Sequence, residues 1–177
     1  MINTTFLYNV PAKFQLAAQQ RTNHPDEFSR MKKQIYLTNQ NLMVSCMIEE
    51  IEESFVKRFI KKAKQDRLLF ELSGKKRKHG IERFCHSAED MINTERIIYS
   101  GNDLFPDEIL KITKQYKVPE SCYIIAYQKE LDKKCISLVD ALNLVLGNGM
   151  PALIICDDLV IIETEQCFGT PFRYILH

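Results

Sequence analysis

Three groups of residues have types and spacings that invite chemistry. In "SGKKRKHG", Lys75, Lys76, Arg77 and Lys78 stand in a row before His79 and Gly80. Four cations on one loop would neutralise about three or four phosphates, enough for salt-sensitive binding without base specificity. Aromatic platforms for unpaired bases are not interleaved with these charges, since only Phe70 and Phe84 flank them. The competing reading is a solvated loop bracketed by Gly74 and Gly80.

The second group is Cys85-His86. A thiol nucleophile needs an imidazole within hydrogen-bond reach and a third group to orient the ring. If "IERFCH" is a short strand, neighbouring side chains point to opposite faces, so the pair is not its own dyad. His79 or His24 would then have to supply the base. The third group is "CDDLVIIETEQ", with Asp157 and Asp158 at a turn and Glu163 and Glu165 along the following strand. Sheet-mounted acids can hold Mg²⁺. The turn aspartates lie about 15 Å from Glu163 along an extended strand, too far to share one octahedral ion. A thiol- or metal-dependent hydrolase is therefore one alternative function, with Cys85 or the Glu163/Glu165 pair as its reactive groups.

Other signals are negative. The glycines of "GNGMP" follow a helix and do not open one, so they form no phosphate cradle. No CxxC or CxxH spacing occurs, and no metal or cofactor is expected. The six cysteines, Cys46, Cys85, Cys122, Cys135, Cys156 and Cys167, lie partly within apolar runs. With no secretory signal read at the start, they are expected to be reduced and mostly buried, in the cytoplasm. No apolar run is long enough for a membrane span. Net charge is +1, from 24 basic and 23 acidic residues, which lacks the excess typical of a dedicated nucleic-acid binder.

The elements that position these groups follow from periodicity. "TTFLYNV" suggests a short strand, and helices are expected from Pro11 and from Pro25 through Phe28, Met31 and Ile35. Val44, Ile48, Ile51, Phe55 and Phe59 make an apolar stripe at helical steps, with acids in its first half and bases in its second. Ser87 and Asp90 have capping-box spacing. From residue 96 onward "RIIYS", "SCYIIAY", the hairpin "PALIICDDLVIIE" and "FRYIL" read as strands. The helix "FPDEILKITKQY" starts at Pro106. "SLVDALNLVLG" is capped by Ser137 with Asp140, and Gly147 stands beyond its end.

These readings give an α+β fold with a mixed β-sheet in the C-terminal half, packed helices and N-terminal amphipathic helices. Residues 1–177 form a single domain, mainly helical over 1–72 and β-α-β-α-ββ-β over 96–177. Binding is placed ahead of catalysis. The expected function is that of a small soluble, non-enzymatic protein-binding protein, for instance a toxin-neutralising inhibitor of immunity or antitoxin type. Its partner is another protein, met through Phe168, Phe172, Arg173 and Tyr174 if the last strand is a sheet edge open to β-augmentation. The alternative is a nucleic-acid-associated protein using Lys75, Lys76, Arg77 and Lys78.

Overall fold

Four apolar runs build the middle of a sheet because water is excluded from both of their faces. The computed structural model describes residues 33–34, 47–165 and 169–177. Every element below lies in the unit Met47–His177. The helix expected from Pro11, the strand in "TTFLYNV" and the start of the amphipathic stripe at Val44 lie outside the described residues, as do Cys46, Cys167 and Phe168. Of the helix expected from Pro25, only Lys33 and Gln34 are described, and both are helical.

The strands are β1 (Ile97–Gly101), β2 (Ser121–Ala126), β3 (Cys135–Ser137), β4 (Ala152–Cys156), β5 (Leu159–Glu163) and β6 (Arg173–Leu176), in the order β1-β6-β5-β4-β2-β3. The fold is α+β, and each of the five pairings is antiparallel, a more uniform ladder than a mixed sheet. Strands buried on both faces read as unbroken apolar runs, and β4, β5 and β6 are buried at every position. Two-residue alternation then sorts the side chains. Tyr123, Ile125, Leu153, Ile155, Val160, Ile162, Tyr174 and Leu176 join one core. Cys122, Ile124, Ala126, Ala152, Ile154, Cys156, Leu159, Ile161 and Ile175 join the other.

The first core is covered by helices drawn from 47–91. α1 spans 47–59, followed by α2 (Lys62–Ser73), α3 (Arg77–His86) and the single turn α4 (Ala88–Met91). Phe55, Val56 and Phe59 are buried as the stripe predicts, whereas Met47 is exposed. The helix does not run on through Lys62. Ile60 instead bridges to Ile92, and the buried Gln65 amide donates to the carbonyls of Ile60 (2.9 Å) and Lys57 (3.2 Å) at the end of α1. These are helix-terminal acceptors that would otherwise lack partners.

Two expectations are corrected in this layer. "IERFCH" is not a strand, and residues 73–80 are not a loop throughout: α3 begins at Arg77. Ile81, Phe84, Cys85 and Ala88 follow the i, i+3, i+4, i+7 steps of a helix, and all four are buried. Ser87 precedes α4, yet its side chain makes no cap hydrogen bond.

The second core is covered by α5 (Pro106–Gln115) and α6 (Leu138–Val145). Pro106 occupies the first turn of α5, and the Glu108 carboxylate accepts from the Phe105 N–H at 2.8 Å. Ser137 caps α6, accepting from the Asp140 N–H at 3.1 Å. Gly147 takes the left-handed conformation just past its end (φ 80°).

α2 and α3 meet so closely that Gly80 is required. A Cβ there would lie 2.7 Å from Glu71 Cβ. Glu71 is itself fixed by Arg83 (2.6 Å) and Arg67 (3.1 Å). Burial works to raise the Glu71 carboxyl, but hydrogen bonds from Arg83 and Arg67 outweigh it and hold it below its ordinary value of 4.5. A folded-state value below the unfolded one gives stability that is fully present above the unfolded value and lost as pH falls through the folded one.

Two measurements check this contact. Gly80→Ala should lower stability by about 1–2 kcal/mol in urea, because overpacking outweighs the roughly 1 kcal/mol helix-propensity gain. Arg83→Gln should reduce the loss of stability expected in acid from protonating Glu71, whose carboxyl Arg83 holds below its ordinary value, read from denaturation midpoints across an acid series. An unchanged acid limb would show that Arg83 does not set the carboxyl.

Candidate functional site

Arg77 is the member of the basic run that the fold consumes. Its guanidinium makes four hydrogen bonds and sits between two carboxylates. Nε donates to Asp132 Oδ2 at 2.6 Å and Nη2 to Asp132 Oδ1 at 2.9 Å, and Nη2 is also ion-paired with Glu52 Oε1 at 2.7 Å. Nη1 donates to Glu52 Oε2 at 2.8 Å and to the Leu72 carbonyl at 2.9 Å. Held between Glu52 and Asp132 and only 12% exposed, the guanidinium is not presented to a phosphate. The Tyr123 hydroxyl also donates to Glu52, and burial followed by that carboxylate pushes the phenol well above its ordinary range. Asp132 in turn accepts from the Ala126 N–H at 3.1 Å.

The remaining cations are dispersed as well. Lys78 lies over the Tyr127 ring, 3.9 Å from its centroid. Lys57 pairs with Glu53 and Arg58 with Asp158, each at 2.5 Å. Lys61 donates to the Glu89 carbonyl. The basic surface expected at 75–78 thus reduces to the exposed Lys75, Lys76 and Lys78.

Glu163 is a structural acid. It is fully buried and is held by Arg173, Nε and Nη2 both at 2.9 Å from Oε2. Both of its oxygens also accept from the Gly147 N–H at 2.9 Å, and Arg173 donates onward to the Leu104 carbonyl. Glu163 and Glu165 do not share a strand face, because β5 ends at Glu163 and Glu165 is exposed beyond it. Among the described residues no group of three or more His, Cys, Asp or Glu is placed to hold a metal ion. Cys85 is buried on α3. Burial, with Glu165 and Glu163 adding repulsion, pushes its thiol well above the ordinary value, which is contrary to what a nucleophile needs.

β6 is interior, paired to β1 on one side and β5 on the other, so the edge-strand premise for Phe172, Arg173 and Tyr174 is corrected. Arg173 is 3% exposed and committed to Glu163, while Phe172 is 41% exposed. Their surroundings still matter. A cleft of about 520 Å³ lies where the α3–α4 turn faces the ends of β5 and β6. It brings together Cys85, His86, Glu165, Phe172 and Tyr174, which are separated in sequence, and adds Glu89 and Asp90. The Phe172 and Tyr174 rings are 5.1 Å apart and tilted by 56°. Burial, then Glu89, raises the Tyr174 phenol. Sequence patterning marks Asp90 only as the capping-box partner of Ser87 and does not mark Glu89.

Chemically, the cleft offers three carboxylates (Glu89, Asp90 and Glu165) beside the Phe172 and Tyr174 rings and the His86 imidazole. Such a surface suits a cationic side chain, which gains from carboxylates and from a ring face alike. Comparison with protein-family models, curated proteins and solved structures returns no match for this chain.

Removing Arg77 should be far costlier than removing its neighbours. Arg77→Ala strands Glu52 and Asp132 without their counter-charge and should cost about 3–5 kcal/mol. Arg77→Lys should recover little of this, because an ammonium cannot reproduce the two-sided fork. Lys75→Ala and Lys76→Ala should leave the urea midpoint unchanged. Equal effects at all three positions would refute the hub.

Proposed function

We propose that this chain is a small, soluble protein-binding protein without catalytic activity, and that its partner docks on the cleft between the α3–α4 turn and the ends of β5 and β6. The observation that carries the reading is the pairing of an exposed Phe172 with Glu89, Asp90 and Glu165 around one depression. Interface anchors are commonly aromatic or Arg side chains that enter a pocket. The partner accordingly presents an Arg or Lys that enters between the carboxylates and lies over Phe172. A toxin-neutralising inhibitor of immunity or antitoxin type fits this chemistry when the toxin's working surface is basic, because carboxylates then cover the cations that the toxin needs. A cytoplasmic setting accords with the free thiols at Cys85, Cys122, Cys135 and Cys156. Among the described residues no helix is long and apolar enough to cross a membrane.

The reading stands ahead of the two alternatives on the contacts already described. A nucleic-acid role would rest on three exposed lysines. A hydrolase would rest on a buried protonated thiol and an acid tied to Arg173.

Crosslinking of the full chain in native lysate should recover one stoichiometric protein partner. A Glu89→Lys, Glu165→Lys variant should lose that partner by at least about tenfold, since like charges then face each other. A Lys75→Ser, Lys76→Ser, Lys78→Ser variant should retain it. Recovery of no protein, or full retention by the charge-reversed chain, would overturn the proposal. Nuclease-sensitive retention that disappears with the three lysines would favour the nucleic-acid reading instead.

A further inference from the structure

Cys122 and Cys156 are brought opposite each other by the ladder that joins β2 and β4. The register pairs Tyr123 with Ile155, Ile124 with Ile154, Ile125 with Leu153 and Ala126 with Ala152. One step further along the same register, Cys122 faces Cys156. The Tyr127 N–H donates to the Pro151 carbonyl at 3.0 Å, which marks 127/151 as a hydrogen-bonded pair. Alternation then makes 125/153 and 123/155 hydrogen-bonded pairs, and 126/152, 124/154 and 122/156 non-hydrogen-bonded ones. The bond from the Ile124 N–H to the Lys134 carbonyl, directed to the other side of β2, agrees with that phase. At a non-hydrogen-bonded pair the Cα atoms are about 4.5 Å apart and the side chains are at their closest. That separation lies at the short end of the range that a disulfide spans, about 4.4–6.8 Å.

Both side chains lie on one sheet face, in the second core, and the Cys122 S–H donates to the Ile136 carbonyl at 3.5 Å. The pair is also asymmetric. Cys122 is 4% exposed, near the start of β2. Cys156 is completely buried. The neighbouring Cys156 thiol, opposed by burial, lowers the Cys122 thiol, while Cys122 and burial raise Cys156. Cys135 is exposed but pairs with Tyr123 on the opposite sheet face from Cys122. It has no thiol across from it.

We propose that Cys122 and Cys156 are an oxidisable pair that a peroxide converts to a cross-strand disulfide and a dithiol reductant restores. The Cys122 thiolate attacks one peroxide oxygen, the O–O bond breaks, and with hydrogen peroxide one water leaves, giving a sulfenic acid at Cys122. The Cys156 sulfur attacks the sulfenic sulfur, the S–O bond breaks, and a second water carries away the hydroxyl with the Cys156 proton. Two thiols are oxidised by two electrons and one peroxide is reduced. Reversal consumes one dithiol, which leaves as its own disulfide. Oxidation also removes the S–H that reaches Ile136, so the edge strand β3 loses that contact.

The test is peptide mapping of the full chain after stoichiometric hydrogen peroxide, with native alkylation before digestion. The expected result is one intramolecular peptide linking Cys122 to Cys156, reversed by thioredoxin or dithiothreitol. Cys156→Ser should instead accumulate a sulfenic acid at Cys122, captured by a cyclic 1,3-diketone several-fold more than in the parent chain. Recovery of Cys122 and Cys156 both as free alkylated thiols, or a link formed by Cys135 or Cys85 in their place, would overturn the proposal. Mapping of the parent chain decides the matter even if the variant fails to fold.

Discussion

One guanidinium holds together parts of the chain that are otherwise packed by shape alone. Arg77 starts α3, Glu52 lies on α1, Leu72 closes α2, and Asp132 belongs to the loop between β2 and β3. Apolar side chains favour burial but accept many similar arrangements. A five-donor fork accepts one geometry, because each acceptor must arrive in its plane. The buried charges make sense only together: Glu52 and Asp132 are neutralised by Arg77, and Glu52 also takes the Tyr123 proton donor from the sheet. The helical layer is thereby registered against β2.

A second buried pair serves the opposite face in the same way. Glu163 ends β5 and Arg173 begins β6, and the register of the two strands sets them side by side. Glu163 also collects the amide of Gly147, whose left-handed conformation ends α6. The carboxylate that looked like a metal ligand is therefore the point at which a helix end, two strands and the segment before α5 are joined. Its chemistry is spent on position.

β2, β4, β5 and β6 were legible because burial on both faces leaves a local mark, a run rich in Ile, Leu and Val. The three-residue β3 carries no such run, and the sequence does not show it. The caps at Ser137 and Pro106 were legible, being set by residues adjacent in sequence. Arg77 was not, since Lys75, Lys76 and Lys78 are chemically similar and only tertiary contacts distinguish them. α3 was misread because "IERFCH" was taken alone. Extended to Ala88, the steps from Ile81 through Phe84 and Cys85 show a helical period. The break after Ile60 depends on Gln65 reaching back to cap α1, which no propensity encodes. The acidic cleft combines residues from three distant segments, and its register was hidden in the same way.

The two outermost strands carry a consequence for how this molecule meets others. β3 is three residues long, and the pairing of β1 is interrupted by an irregularity between Ile97 and Tyr99. Neither presents a long flat row of free amides and carbonyls, which is what strand-by-strand polymerisation requires. A sheet this rich in Ile and Leu would otherwise be a template for fibre growth. Its borders are too short and too crooked to propagate, which leaves the backbone ladder closed.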